Sequence, residues 1–265
     1  MNIDSQKIND LFSIKNKVAL ITGGSRGIGL MIAKAYVENG AKVYITARTS
    51  EQCEQSAAAL SVMGFCKAIV ADISTKEGRQ KIFDVLNAQE RTLDILINNA
   101  GIGLDTKSEE GFEAFPVEAY DKVMDVNLRA PFMLTQRLMG LLESGASKEN
   151  PARIINIGSA GGIKVRGGSG PSSYGPGKAA LHFMTKEWGV CFAKRNITAN
   201  TIAPGAFRTD LLASEEALKY AAEVVPLKRV GNESDIAGAA IFLASKASAF
   251  MTGDVISVDG GYTLI

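Results

Sequence analysis

Seven short apolar runs, rich in β-branched residues, recur along the chain and are separated by longer amphipathic stretches. No other feature restricts the possible fold as much. The runs are KVALIT (17–22), KVYITA (42–47), AIVADI (68–73), LDILIN (93–98), RIINIGS (153–159), ITANTIAP (197–204) and VISVD (255–259). They are nearly continuous in apolar residues rather than alternating, the pattern of strands covered on both faces. Helical periodicity fills the stretches 28–39, 51–63, 76–90, 117–142, 175–194 and 233–245. Strand–helix alternation of this length predicts an α/β fold, a doubly wound parallel sheet with right-handed crossovers and helices on both faces. With no repeat, low-complexity segment or Pro/Ser-rich linker, residues 1–265 are expected to form one domain. The least regular pieces, 101–116, 160–173 and 205–231, each follow an expected strand and so gather at the carboxyl edge, where such sheets bind ligands.

Charge and cysteine content exclude several classes. Lys+Arg 29 against Asp+Glu 28 leaves +1, which gives no reason to expect a nucleic-acid or membrane partner. Cys53, Cys66 and Cys191 are widely spaced, without a CxxC pair and with one histidine in the chain, so neither a metal site nor a disulfide framework is expected. The polar start MNIDSQKINDLFSIKNK has no signal-peptide core, which makes the expected location cytoplasmic.

TGGSRGIG, Thr22 to Gly29, lies between the first strand and the first helix. Gly23, Gly27 and Gly29 allow a tight turn and close backbone approach, and a helix N-terminus offers free N–H groups to a phosphate. The spacing is GxxxGxG rather than GxGxxG, and alone it is equally compatible with a structural turn. The second strand ends in Arg48, where an acidic residue would bind the 2′-hydroxyl of NAD; the first carboxylate after it is Glu51. With Arg26 in the turn, two guanidiniums suit a 2′-phosphate, favouring NADP(H), the alternative being two ordinary surface charges.

Tyr174 and Lys178 stand four apart in SYGPGK, on one face of a helix and about 6 Å apart along its axis. A nearby ammonium favours a phenolate and brings a phenol toward proton transfer at neutral pH. Ser159, at the end of a strand, can donate to an oxygen on which charge develops.

Taken in order, these motifs resemble the short-chain dehydrogenases/reductases from Lys17 to Gly261. TGxxxGxG of that family matches Thr22, Gly23, Gly27 and Gly29; the aspartate beside the adenine matches Asp72; NNAG matches Asn98, Asn99, Ala100 and Gly101. Its asparagine, serine, tyrosine and lysine match Asn127, Ser159, Tyr174 and Lys178, and PGxxxT matches Pro204, Gly205 and Thr209. The resemblance implies a Rossmann-type fold and NADP(H). The cofactor would be touched also by Ser25, Arg26, Ile28, Arg48, Ile73 and Phe207, as well as by Tyr174 and Lys178. Tyr174 would be the acid in ketone reduction, Ser159 would hold the substrate oxygen, Lys178 would bind the nicotinamide ribose, and Asn127 would hold a water. Self-association into dimers or tetramers through 117–142, 175–194 and the C-terminal end is implied as well.

Within the family the chain is most similar to 3-oxoacyl-[acyl-carrier-protein] reductases, particularly the rhamnolipid-precursor branch, through TGGSRGIG, ENPARIINIGS, YGPxKAALH and MTGxVIxxDGG. A long 101–116 loop and the GGSGPSS stretch before Tyr174 depart from the common pattern on the substrate side. After Gly205, an amphipathic stretch with Phe207, Leu211, Leu212 and Tyr220 would either cover a small-molecule carbonyl substrate or complete the core. Arg129, Lys164 and Arg166 are candidates for docking an acyl carrier protein, and His182 is expected only to pack the helix. Two alternatives are another alcohol/ketone pair (sugar, steroid or xenobiotic) and a nucleotide-binding protein without catalysis.

Overall fold

The structure is a computed structural model that describes residues 5–103, 115–165, 172–210, 212 and 214–265. Seven strands, β1 (Val18–Thr22), β2 (Lys42–Ala47), β3 (Cys66–Val70), β4 (Ile95–Asn98), β5 (Ala152–Ile157), β6 (Ile197–Pro204) and β7 (Val255–Val258), form one sheet. Their order is β3-β2-β1-β4-β5-β6-β7 and every pairing is parallel. This is the doubly wound arrangement expected from the sequence, and the strand order reverses between β1 and β4.

The connecting helices are α1 (Ser5–Phe12), α2 (Gly27–Glu38), α3 (Ser50–Ser61), α4 (Lys76–Gln89), α5 (Val117–Met124), α6 (Ala130–Gly145), α7 (Tyr174–Cys191), α8 (Glu215–Val224) and α9 (Glu233–Ala244). Successive strand residues feed opposite cores, as the period of two requires. Ile21, Ile45 and Ile97 pack with Ile32 and Tyr36 of α2 and Leu243 of α9. Leu20, Leu96 and Ile154 pack on the other face with Ile82 of α4, Leu138 of α6 and Trp188 of α7.

Four local features differ from expectation. The polar N-terminal stretch forms α1, whose Phe12 rests near Phe242 of α9, ring centres 6.5 Å apart. Strand β3 begins two residues before AIVADI and stops at Val70, which leaves Asp72 and Ile73 in the turn that opens α4. Strand β5 stops at Ile157, so Gly158 and Ser159 lie beyond it. The expected helix 117–142 is split by one π-helical turn, Asp125–Arg129, which carries Asn127.

Candidate active site

The glycine turn sits at the switch point of the sheet and is clamped from β4. Asn99 Nδ2 donates to the carbonyls of Thr22 (2.8 Å) and Gly23 (3.1 Å), while Thr22 Oγ1 accepts from the N–H groups of Asn99 (2.9 Å) and Ala100 (3.0 Å). Gly23 has φ +64°, and a Cβ there would fall 2.9 Å from Ala100 Cα. At Gly29 a Cβ would fall 2.3 Å from Gly23 O. Glycine is therefore demanded by the clamp itself. Arg26 precedes α2 without capping it, and the first turn of α2 has no acidic residue. Helices α3, α5 and α7 likewise lack a side-chain cap, so what sets α2 apart is the glycine turn before it, whose backbone N–H groups and positive helix end fit the phosphates of a dinucleotide.

The remaining turn and edge residues occupy distinct places. Ser25 is buried and its carbonyl accepts from Ser56 Oγ at 2.9 Å. Ile28 is half-buried against the α2 core. Arg26 donates to exposed Asp210 at 2.7 Å, a contact that solvent keeps weak, instead of standing free beside Arg48. Arg48 is exposed and close enough to Asp72 to act on its charge. Burial alone would raise the Asp72 pKa, but hydrogen bonds from Ser74 and the positive charges of Arg48 and Lys122 outweigh it, and the net shift is downward. Ile73 is buried beside it.

Two further segments close the edge of the sheet. Pro204 ends β6 opposite Val258, Gly205 lies against the Asp259 backbone, and the Thr209 methyl would lie 3.2 Å from a Cβ on Gly27. For Phe207, the choice between lid and core falls to the core. Its side chain is 3% exposed in the core, filling the space left by Gly231, where a Cβ would fall 2.4 Å from its ring. Leu218 and Ala221 of α8 are likewise buried, so this stretch completes the core, while Tyr220 stays exposed.

The proton-transfer residues converge at the ends of β4 and β5. Buried Asn127 holds Ile102 from both ends of its amide, Oδ1 accepting from the N–H and Nδ2 donating to the carbonyl, each at 2.8 Å. This fixes the segment after β4, and the irregular π turn that presents Asn127 is a geometry often found at functional sites. A Cβ on Gly101 would lie 3.2 Å from Asn127 Oδ1 and 3.5 Å from Lys178 Nζ, which brings all three residues together. Lys178 is 4% exposed, donates to Ile157 O at 2.7 Å and stands 5.8 Å from the Tyr174 ring centre. Burial brings its pKa down from 10.5 to about 8.

Ser159 Oγ accepts from Gly161 N–H at 3.0 Å. A Cβ on Gly175, next to Tyr174, would lie 3.0 Å from Gly161 O, so the start of α7 rests on the serine turn. Behind it a polar chain buried in the fold, from Asn98 through Asn156 and Thr185 to Thr201, ties β4, β5 and β6 to α7.

Of the candidates for carrier docking, the two described residues both have partners. Arg129 pairs with Asp125 at 2.9 Å, and Lys164 lies over the Tyr262 ring, 5.1 Å from its centre. Arg166, Leu211, most of the 101–116 loop and most of GGSGPSS lie outside the described residues. Phe132, Phe183 and Val190 are exposed on α6 and α7, the helices expected to meet other copies. Among the described residues no helix is long and apolar enough to cross a membrane, and no cluster of His, Cys, Asp and Glu is suited to a metal ion.

A parallel doubly wound sheet, an uncapped helix after a glycine turn, and a Tyr–Lys pair on a serine turn together define a nucleotide-dependent oxidoreductase. The chain belongs to the short-chain dehydrogenase/reductase family and is an NADP-dependent oxidoreductase acting on CH–OH groups. A family model described as enoyl-(acyl carrier protein) reductase matches residues 23–263. Among individual relatives, the rhamnolipids biosynthesis 3-oxoacyl-[acyl-carrier-protein] reductase of Pseudomonas aeruginosa is 42% identical, with 96% of this chain and 98% of that protein covered. The NADP active-site complex of Pseudomonas aeruginosa RhlG superposes with a TM-score of 0.90 at 41% identity, covering 96% of this chain and 99% of that one. A gluconate 5-dehydrogenase from Burkholderia cenocepacia, in complex with NADP and tartrate, gives a TM-score of 0.86 at 32% identity, with 97% and 99% covered.

Sequence reasoning missed two contributors. Thr22 was seen as part of a motif, but its hydroxyl joins the turn to β4. His182 was expected only to pack, yet its Nε2 accepts from the N–H of Ser159 at 3.3 Å.

Proposed function

We propose that the protein is an NADPH-dependent ketoreductase that converts a 3-oxoacyl thioester to the 3-hydroxyacyl product. The observation that carries this reading is the convergence of Lys178, Asn127, Gly101 and the serine turn beside the glycine turn at one edge of the sheet. When bound, the cofactor supplies a hydride to the carbonyl carbon. The N–H groups that open α2, with Gly23, Gly27 and Gly29, would hold its phosphates; Asp72 and Ile73 would hold the adenine, and Asn99, Ala100 and Gly101 would support it between them. Pro204, Gly205, the backbone at Phe207, and Thr209 would hold the nicotinamide end, and Lys178 would bind the ribose.

Tyr174 gives its hydroxyl proton to the substrate oxygen as the carbonyl becomes an alcohol. Ser159 keeps that oxygen in place: Gly161 donates to its Oγ, leaving the hydroxyl hydrogen to donate outward. The buried Lys178 ammonium lies beside the phenol and favours release of its proton.

The 42% identity to the rhamnolipid-pathway reductase supports a thioester substrate, with an acyl carrier protein or coenzyme A as carrier. The likeness to the gluconate 5-dehydrogenase favours a second reading, a compact polyol or cyclic ketone. NADPH consumption with acetoacetyl-CoA, compared with 5-ketogluconate and a set of cyclic ketones, separates them. Turnover of acetoacetyl-CoA at least about tenfold above the others in kcat/KM is expected, since that ratio amounts to about 1.4 kcal/mol of transition-state discrimination. Inactivity on the thioester with good turnover of 5-ketogluconate would move the assignment to the polyol reading.

NADPH is preferred because exposed Arg48 stands at the end of β2, and Arg26 needs only to leave a solvent-exposed partner to reach a 2′-phosphate. Arg48→Asp is expected to weaken NADPH binding by about tenfold or more, the worth of a charge-assisted hydrogen bond, and to leave NADH binding nearly unchanged. An unaltered NADPH/NADH ratio would remove Arg48 from the phosphate site.

A further inference from the structure

The one histidine of the chain lies two turns along α7 from Tyr174 and one turn from Lys178, on the same stripe of the helix. Lys178 and His182 grip the end of β5 on either side of Gly158: the ammonium donates to Ile157 O at 2.7 Å, and His182 Nε2 accepts from Ser159 N–H at 3.3 Å. The ring is seated between two glycines. A Cβ on Gly158 would fall 2.1 Å from Nε2, and one on Gly162 would fall 2.8 Å from Cε1.

Strand pairing explains why this contact is needed. Gly158 N–H still donates across the ladder to Ile202 O, but β5 has ended and Ser159 N–H has no strand partner. An amide left unpaired in a buried turn would let the turn relax. With His182 in place every heavy polar atom of Ser159 is fixed: its N–H by the imidazole, its carbonyl by Gly162 N–H at 2.9 Å, and its Oγ by Gly161 N–H at 3.0 Å.

We infer that His182 is a positioning residue for the reduction, a neutral imidazole whose Nε2 lone pair holds Ser159 at the height on α7 where Tyr174 works. This rests on the reading that Ser159 holds the substrate oxygen. Neutrality follows from the surroundings. Burial first, then the charges of Lys178 and Lys186, bring the His182 pKa down from 6.5 to about 4. The two residues seated against the ring, Gly158 and Gly162, carry no charge.

Two measurements test the inference. In the first, His182→Leu and His182→Gln are compared in the wild-type and Ser159→Ala backgrounds, using whichever ketone of the panel the wild-type protein reduces. His182→Leu is expected to lower kcat roughly 10- to 100-fold, the scale of a small misplacement of a substrate-holding group, with KM for NADPH within about twofold. His182→Gln, whose amide oxygen reaches a similar point, should recover most of the loss. In the Ser159→Ala background, His182→Leu should cost no more than about twofold, because both changes remove one function. Losses that multiply across the two sites, or a glutamine variant no better than leucine, would overturn the inference and leave the function of Ser159 standing. Full turnover by Ser159→Ala alone would instead overturn the reading of the serine, and His182 with it.

The second measurement needs neither variants nor turnover. Imidazole 15N resonances of the wild-type protein should show Nδ1 protonated and Nε2 bare at pH 7, unchanged down to about pH 5, a unit above the pKa of about 4. A proton on Nε2, or an imidazolium at pH 6, would overturn the inference.

Discussion

Tyr174→Phe is expected to lower carbonyl reduction by about 10²- to 10⁴-fold, the range of a positioned acid–base group, and to leave NADPH affinity nearly unchanged. The substitution removes one oxygen and keeps the ring. The structure gives the residue work unrelated to proton transfer: it opens α7, its backbone N–H donates to Ser172 Oγ at 3.1 Å, and its ring lies beneath the Lys178 ammonium. A phenylalanine ring satisfies all three. On the proposed cofactor site the phosphates would meet the glycine turn that Asn99 and Thr22 hold, away from the phenol oxygen, so binding has no reason to follow catalysis downward. Single-turnover reduction and NADPH fluorescence titration, run on the same sample, read the two quantities separately. Turnover within about tenfold of wild type would mean that another group or water delivers the proton, and Tyr174 would lose its role.

The residues behind this prediction are legible in the amino-acid sequence; other parts of the fold and site are not. The order of strands and helices was readable because strands covered on both faces leave long apolar runs, and KVYITA and ITANTIAP coincide with β2 and β6. The Tyr–Lys pair and the glycine turn were readable because their function depends on spacing along one element. Strand ends were harder. At the sheet margin β3 is only partly buried, so the apolar run around it does not mark where pairing stops, and Asp72 and Ile73 fell outside the strand. Phe207 was left open between two readings for a different reason. A large apolar residue after β6 suits a lid and a core equally, and the choice was made by Gly231, distant in sequence and lacking a side chain. His182 shows the same limit at the site itself. Its partner is a backbone amide 23 positions away, freed only because β5 stops at Ile157, and no periodicity records such an amide. The π turn that presents Asn127 also has no composition signal, since DVNLR reads as ordinary helix.

Lys178→Met is expected to cost catalysis on the same scale as the tyrosine change, about 10²-fold or more, and to alter how stability depends on pH. The first effect follows from removing the positive charge beside the phenol and the donor that fixes the end of β5. The second has a definite sign. Lys178 titrates near 8 in the folded protein, against 10.5 for an exposed lysine. Below about pH 8 both states hold the proton and the cost of burying an ammonium is fully present. Between about 8 and 10.5 the unfolded chain binds the proton and the folded chain does not, so this group makes the protein more stable as pH rises. From pH 7 to pH 10 its contribution is about 2–3 kcal/mol, at 1.36 kcal/mol per pKa unit. Other groups work in the opposite direction over part of this range: burial pushes the Cys66 thiol up to about 12 and Tyr44 higher still, so the folded state keeps protons that the unfolded chain loses. The absolute pH profile therefore mixes several residues, and the informative quantity is the difference between wild type and Lys178→Met. Urea unfolding at pH 7, 8, 9 and 10 should show wild type gaining on the variant at each step above 8. Parallel profiles would mean that Lys178 titrates alike in the folded and unfolded states, as a solvated lysine does, and a gain already at full slope between pH 7 and 8 would mean that it is neutral in the folded protein. Either outcome would remove the buried ammonium on which the assistance to Tyr174 depends.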